Sequence, residues 1–225
     1  MIVVFLGPPG AGKGTQCKIL AERYNLKHLS SGDILRRERQ QATQLGQKAQ
    51  KYMDSGKLVP DDLIVAMMSK EITDGSDDGA AGVILDGFPR TIQQAQELDK
   101  ALAAAGKQVD AVLNLEVNDE KLETRITGRR SCSQCGTAYH IMFNKPKQQG
   151  VCDKDGAELV QRSDDTAQVV RSRIQTYHEQ TAPLVTYYRA KGNIHSIDGN
   201  VTIEDVTRNM CEVVDKLNSQ ENKYE

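Results

Sequence analysis

A glycine-rich stretch near the start constrains this chain more than any other feature. Gly7-Pro8-Pro9-Gly10-Ala11-Gly12-Lys13-Gly14-Thr15 follows the apolar run Ile2-Val3-Val4-Phe5-Leu6 and precedes Gln16–Tyr24, which reads as a helix. Strand, glycine loop and helix in that order are the setting of a phosphate-binding loop. Glycines let successive backbone N–H groups turn inward around an anion, and the helix N-terminus adds partial positive charge. Lys13 would reach the β- and γ-phosphates. Gly14 stands where Ser or Thr is usual, so Thr15 is the candidate hydroxyl near Mg²⁺. The bland alternative is a turn that binds nothing, and it leaves the two flanks and the closing lysine unexplained. Such a loop implies a bound nucleoside triphosphate and leaves the acceptor unnamed.

A length of 225 residues suits one α/β domain with insertions. The formal net charge is −2, which argues against a broad nucleic-acid footprint, so an anionic ligand must meet a local arginine cluster. Gly7 stops the first apolar run early, and no later run reaches membrane-spanning length. A signal peptide is therefore not expected, nor a membrane partner. Five cysteines, few and odd in number, argue against a disulfide framework and for a reducing cytoplasm.

Continuous apolar runs at 2–6, 27–29, 82–86, 110–116 and 194–197 predict strands of a parallel sheet. Helical patterns lie between them. In 61–73, Leu63 and Met67, then Ile64, Met68 and Ile72, recur at helical spacing. In 203–217, Ile203, Val206, Met210, Val213, Val214 and Leu217 make one apolar face, with Thr202 and Asp205 spaced as a capping box. Met67, Met68 and Met210 are thus read as core, and Cys17 and Cys211 as small buried apolar groups. Pro183 should kink or split a helix over about 165–190. The polar tail, 220–225, should fray. The alternation predicts a doubly wound α/β fold with a five-stranded parallel sheet.

Two stretches break the alternation: 31–60, with two short polar helical patterns, and 130–163, rich in Gly, Lys, Gln and Cys. Excursions from strand ends are where ligands bind and lids form. Arginines flank both. Arg36, Arg90, Arg125, Arg129, Arg130, Arg162, Arg171 and Arg173 stand in such runs, and guanidinium grips phosphate with paired hydrogen bonds. Arg125 and Arg129, four apart, are expected on one helix face. Arg37, Arg39, Arg189 and Arg208 are read as surface. Asp86 ends an apolar strand, the position of an acid that holds Mg²⁺ through water, or else it caps the next helix.

Cys132-Ser133-Gln134-Cys135 and Cys152-Asp153-Lys154-Asp155 make a Cys-x₂-Cys…Cys-x₂-Asp pattern. Three thiolates and a carboxylate suit a tetrahedral Zn²⁺, with Fe or Co as other occupants. Asp155 ranks first as fourth ligand on spacing, ahead of His140 and Asp153. The excursion is too polar to pack a core of its own, so a structural metal would supply what packing cannot.

Six runs together resemble one family. They are residues 7–15, Ser30-Ser31-Gly32-Asp33-Ile34-Leu35-Arg36, Gly56-Lys57-Leu58-Val59, Asp86-Gly87-Phe88-Pro89-Arg90-Thr91, Gly128-Arg129-Arg130 and Arg162-Ser163-Asp164-Asp165. Their types and order are similar to adenylate kinases of the long, zinc-lid form. The resemblance implies Mg²⁺-dependent reversible transfer from ATP to AMP, giving two ADP, by a cytoplasmic monomer. It implies a core of 1–29, 60–127 and 166–225, a helical AMP-binding insertion at 30–59 and a small β-rich, zinc-containing lid at 128–165. It assigns Gly10, Ala11, Gly12, Lys13, Gly14, Thr15, Arg129, Tyr139 and Val201 to ATP. To AMP it assigns Ser31, Arg36, Lys57, Leu58, Val59, Gly87, Phe88, Pro89, Arg90, Gln94, Arg162 and Arg173. Lys13, Arg90, Arg125, Arg129, Arg162 and Arg173 would be the catalytic cations. Ser31 stands where the family commonly has Thr, and the hydroxyl survives.

The chemistry agrees with that assignment. An AMP phosphate oxygen is already ionised near pH 7, so no general base is needed. None of the four His, at 28, 140, 178 and 195, adjoins a candidate nucleophile. Positioning and charge neutralisation then carry the reaction. Lids have a reason to close, because water would otherwise take the phosphoryl group. Gln94 can meet adenine with a paired donor and acceptor. The alternatives are a UMP or CMP kinase, whose lids are typically short, and a nucleotide sensor, which would be expected to have lost Lys13 or arginines.

Overall fold

The structure, a computed structural model, describes residues 1–74 and 79–221. The last tail residues, where fraying is expected, fall outside the described residues. The chain runs β1 (Ile2–Leu6), α1 (Lys13–Tyr24), β2 (Leu26–Ser30), α2 (Ser31–Gln40), α3 (Gln44–Asp54), α4 (Asp61–Asp74), β3 (Gly82–Asp86) and α5 (Ile92–Ala104). It continues β4 (Ala111–Glu116), α6 (Asp119–Thr127), β5 (Arg129–Cys132), β6 (Ala138–His140), β7 (Leu159–Val160), α7 (Ala167–Thr176), α8 (Pro183–Lys191), β8 (Ile194–Asp198) and α9 (Ile203–Glu221).

Five strands form one parallel sheet in the order β2-β3-β1-β4-β8. Helices cover both of its faces, which is why β1 is apolar throughout and wholly buried. Ile2, Val4 and Leu6 join a core with Ile64, Met68, Ala95, Leu98, Leu184 and Tyr188. Val3 and Phe5 point the other way, into a core with Cys17, Leu20, Val206, Met210 and Val214. Burying each such aliphatic side chain stabilises the fold by about 1.5–3 kcal/mol. The helical methionines and Cys17 and Cys211 are packing groups, as their spacing implies.

The first excursion folds as α2 and α3. Ser30 Oγ caps α2 by accepting from Asp33 N at 3.3 Å, and Thr43 Oγ1 caps α3 by accepting from Gly46 N at 3.1 Å. A Cβ on Gly46 would stand 2.3 Å from Glu38 O, so glycine is what lets α2 and α3 close on each other. The second excursion is a separate antiparallel sheet in the order β6-β5-β7. Its own core is Cys132, Tyr139, Cys152 and Leu159, with Ala157 packed against them.

Pro183 does split its helix, through a π-turn over Tyr177–Thr181. Ala182 N donates to Tyr177 O at 2.8 Å, and Pro183 then opens α8, where a missing N–H costs nothing. The capping box at α9 is realised by half. Thr202 Oγ1 accepts from Asp205 N at 3.2 Å, but its hydroxyl donates to the Asp205 carboxylate, which does not reach back to the backbone. One expectation fails outright. Arg125 lies on α6, whereas Arg129 opens β5, because the helix stops at Gly128; the two share no helix face. Gly128 has ordinary helical angles, and a Cβ there would stand 2.3 Å from His140 Nε2. Close packing of that ring, not left-handed backbone, is what Gly128 provides.

Candidate active site

A cleft of about 1190 Å³ opens at the carboxyl ends of the parallel strands. The loop between β1 and α1 forms its floor. Gly10 (φ 83°) and Gly12 (φ 102°) hold left-handed conformations that side chains rarely adopt, and a Cβ on Gly10 would meet Ile126 at 2.7 Å. Gly12 caps α1 without a side-chain bond, while its carbonyl accepts from Thr15 N at 3.1 Å and from Gln16 N at 3.2 Å. Lys13 opens α1 rather than preceding it, so the helix starts three residues earlier than its apolar pattern suggests. Lys13 Nζ donates to Gly7 O at 2.7 Å and to Pro8 O at 2.9 Å, bracing the loop. Burial lowers its ammonium to about 8 despite the nearby Asp86 charge.

Asp86 ends β3 beneath this loop, and a Cβ on Gly14 would stand 3.4 Å from its Oδ2. It does not cap α5; Thr91 does, accepting from Gln94 N at 3.1 Å. His28 Nε2 donates to Asp86 Oδ2 at 3.3 Å. Burial would raise the Asp86 carboxyl, but the His28 bond and the Lys13 charge hold it below the ordinary value. Cys17 completes a close group with His28 and Asp86, and burial pushes its thiol well up.

The arginines converge. Arg36, Arg90, Arg125, Arg129, Arg162 and Arg173 all line the cleft, and basic side chains outnumber acidic ones along its walls. Arg125 Nη1 donates to Gly199 O at 3.1 Å, and Arg162 Nε to Ser131 Oγ at 3.0 Å. Asp165, fully buried, takes both arms of Arg129 at 2.9 and 2.5 Å and one from Arg173 at 3.3 Å. Asp164 Oδ2 accepts from Arg173 at 2.9 Å. Burial and neighbouring arginines bring Arg90 and Arg162 each down to about 10. The Asp165 pair, working against burial, holds Arg129 above its usual value. These like charges, brought together without phosphate, are the electrostatic signature of an anion site. Arg171 instead faces Glu123 on the exposed side.

Ser31, Lys57, Leu58, Val59, Gly87, Pro89 and Gln94 also line the cleft. Ser31 Oγ and Arg90 Nε both donate to Gly87 O, at 2.6 and 2.7 Å, which aims the Arg90 guanidinium inward. Arg36 pairs with Asp33 on its own helix. Phe88 departs from the rest: its side chain is buried in the core, away from the cleft. Ala11, Thr15, Tyr139 and Val201 line its walls as well. The Tyr139 hydroxyl is turned away, 3.6 Å from Cys152 Sγ and accepting from Asp153 N at 2.8 Å.

Some lining and positioning residues escaped the sequence. Phe143, exposed and stacked on His140 at 4.5 Å, lines the cleft wall. Its place in a polar excursion gave no periodic signal. Asp165 adjoins Arg162 in sequence, but nothing local says that it clamps Arg129. Arg39, expected on the surface, is half-buried and donates to Asp54 and to Ser163 Oγ at 3.2 Å, so it joins α2 to the second excursion.

In the second excursion Cys132, Cys135, Cys152 and Asp155 offer ligand atoms within 4.8 Å of one another. Cys132 Sγ lies 3.3 Å from both Asp155 oxygens, and Cys135 Sγ lies 3.6 Å from Cys152 Sγ. A tetrahedron with bonds near 2.0–2.3 Å has edges of about 3.3–3.8 Å. The donor set therefore fits a metal with little movement. Gln134 N and Cys135 N both point at Cys132 Sγ at 3.4 Å, as donors that would support a thiolate. The competing ligands are occupied elsewhere: His140 meets Thr124 O, and Asp153 accepts from Lys147 N.

Comparison with known proteins agrees in kind. Residues 5–193 match the family described as adenylate kinase. The chain is 49% identical over 206 residues to the adenylate kinase of Lachnospira eligens, covering 92% of this chain and 96% of that protein. It is 50% identical to that of Carboxydothermus hydrogenoformans, over 92% of this chain and 95% of the other. With the adenylate kinase of Archaeoglobus fulgidus it shares 44% over 219 residues, 97% of this chain and all of the relative.

Proposed function

This chain belongs to the adenylate kinase family, and from that premise we propose how its own residues perform the reaction. The activity is phosphoryl transfer between ATP and AMP, giving two ADP, with Mg²⁺ accompanying ATP. The observation that carries the residue-level reading is the convergence of Lys13 and six arginines on one cleft.

In this reading Gly10, Ala11, Gly12, Gly14 and Thr15 wrap the ATP phosphates with backbone N–H groups, and Lys13 swings from Gly7 and Pro8 onto them. Asp86, held ionised by His28 and the Lys13 charge, would hold Mg²⁺ through its water shell, and the ion would supply charge neutralisation at the phosphates. Arg129, Tyr139 and Val201 wall the ATP base and ribose. Ser31, Arg36, Lys57, Leu58, Val59, Gly87, Pro89, Arg90 and Gln94 hold AMP, and Phe88 anchors that loop from the core. Arg125, Arg162 and Arg173 surround the transferring group, with Asp164 and Asp165 fixing two of the guanidinium planes. The in-line geometry and the massed positive charge lower the barrier without a general base.

The chain divides, in this proposal, into the core 1–29, 60–127 and 166–225, the AMP insertion 30–59 and the lid 128–165. Cys132, Cys135, Cys152 and Asp155 hold a structural zinc in the lid, a closed four-ligand site with no position for substrate. The enzyme acts as a cytoplasmic monomer; among the described residues no helix is long and apolar enough to cross a membrane. A coupled assay of ADP formation from ATP, AMP and Mg²⁺, run beside UMP and CMP at saturating ATP, tests the acceptor. AMP is expected to dominate, and equal rates with UMP or CMP would overturn the assignment of AMP as acceptor.

A further inference from the structure

We propose that Asp61, which lies outside the cleft, sets which nucleobase Gln94 accepts by fixing the direction of its side-chain amide. The inference rests on the reading of Gln94 as the residue that meets the base of the acceptor nucleotide.

Gln94 lines the cleft and is 2% exposed. One end of its amide lies 2.7 Å from Arg90 N, which can only donate, so that end is the oxygen Oε1. The other end lies 2.7 Å from Asp61 Oδ1, which as a carboxylate only accepts, so that end is Nε2. The partners fix the polarity by their chemistry, whichever way the atoms are labelled. Asp61 is itself held. Thr91 Oγ1 lies 2.9 Å from Asp61 Oδ2 and accepts from Gln94 N at 3.1 Å, so its hydroxyl proton goes to the acid. Every proton in the ring Arg90–Gln94–Asp61–Thr91 has one place. A half-turn of the amide would set donor against donor at Arg90 and acceptor against acceptor at Asp61.

Each end of the amide keeps one free valence: a lone pair on Oε1 and an N–H on Nε2. A base that pairs with both must donate to Oε1 and accept from Nε2. Adenine does so with its 6-amino group and N1. A 6-oxopurine carries the reverse pair, an accepting O6 and a donating N1–H, and needs the amide turned round. Asp61 is thus a positioning residue that selects 6-aminopurine over 6-oxopurine monophosphates without touching either. The plain alternative is a tie between α4 and α5, which would act on all acceptors alike.

The test is kcat/KM with AMP and with IMP at saturating MgATP for wild type, Asp61→Ala, Asp61→Asn and Gln94→Ala, with the KM for ATP and thermal melting measured beside them. Asp61→Ala is expected to lower the AMP:IMP ratio by about tenfold or more, the loss of one charge-assisted hydrogen bond. The KM for ATP should stay unchanged. Asp61→Asn keeps a carbonyl that can accept from Nε2 and should stay within about threefold of the wild-type ratio. If Asp61→Ala melts too low to assay, Asp61→Leu, which fills the space without an acceptor, replaces it with the same expectation. If Gln94→Ala keeps the wild-type ratio, the reading of Gln94 falls and this inference with it. If Gln94→Ala collapses the ratio while Asp61→Ala or Asp61→Leu preserves it, the lock is overturned and the role of Gln94 stands.

Discussion

Arg90 illustrates how much one side chain is asked to do. It is buried beside other arginines, lowered to about 10, and its Nε is already spent on Gly87 O. Only its terminal nitrogens remain to grip a phosphate. Arg90→Ala is therefore expected to lower kcat/KM by at least about a hundredfold, and Arg90→Lys should not restore it, because an ammonium cannot make both bonds. A variant that kept half the wild-type activity would refute the clamp. Lys13 carries a pH signature. Burial brings its ammonium, normally near 10.5, down to about 8, so around that pH part of the free enzyme lacks the proton. Phosphate charge favours the protonated form and raises that value on binding. ATP binding near pH 8 should thus take up a fraction of a proton, and less as pH falls. Calorimetry in buffers of different ionisation enthalpy reads this directly, and proton release at pH 8 would contradict it. Asp165 bears on stability instead. Removing this fully buried carboxylate strands Arg129, so Asp165→Ala should lose about 3–5 kcal/mol in urea unfolding.

At the scale of elements, the antiparallel sheet β6-β5-β7 is the part least able to hold itself. Its core of four side chains includes two of the cysteines that could hold a metal. Without a metal, Cys132 and Cys152 would be ordinary small groups in a very small core, and Asp155 would repel any thiolate. Protein purified without added metal should carry about one metal ion per chain, by elemental analysis. Cys152→Ala should lose it and melt at a lower temperature, with kcat at 25 °C little changed. Metal-free wild type that melts alike with and without chelator would end the idea. The caps at α2, α3 and α5 show the opposite case: Ser30, Thr43 and Thr91 each close a helix start with one local hydrogen bond.

Across the whole molecule, two excursions from one sheet meet over the cleft. Arg39 reaches Ser163, and Arg162 comes within 4.0 Å of Asp33. These contacts are polar and few, so they can break without exposing a core, which suits bodies that open and close. A bisubstrate analogue joining two adenosines should therefore compact the protein in solution scattering relative to the nucleotide-free form. Superimposable curves would reject closure. A glycine stands near the start of each excursion, Gly32 and Gly128, and neither is free to act as its hinge. Gly32 lies within α2, and Gly128 is held by His140 packing, so the bending is expected at neighbouring loop residues.

The sequence by itself determined whatever depends on neighbours along the chain. The glycine loop, the apolar strands, the helical periodicities and the Cys-x₂-Cys…Cys-x₂-Asp spacing are local patterns with local physical causes. Parallel strands buried on both faces must be apolar throughout, and a left-handed turn calls for glycine, so both could be read directly. Tertiary structure alone decided which distant groups complete each other. It moved Arg129 from the α6 face to β5, set Asp165 beneath two arginines, turned Phe88 into the core and closed the ring from Arg90 through Gln94 and Asp61 to Thr91. These outcomes rest on burial and on the pairing of donors with acceptors that packing brings together, several of them 30 or more residues apart, as from Asp61 to Gln94 and from Arg129 to Asp165. No one-dimensional period carries that information, because a buried charge takes whichever partner the packed chain brings within reach.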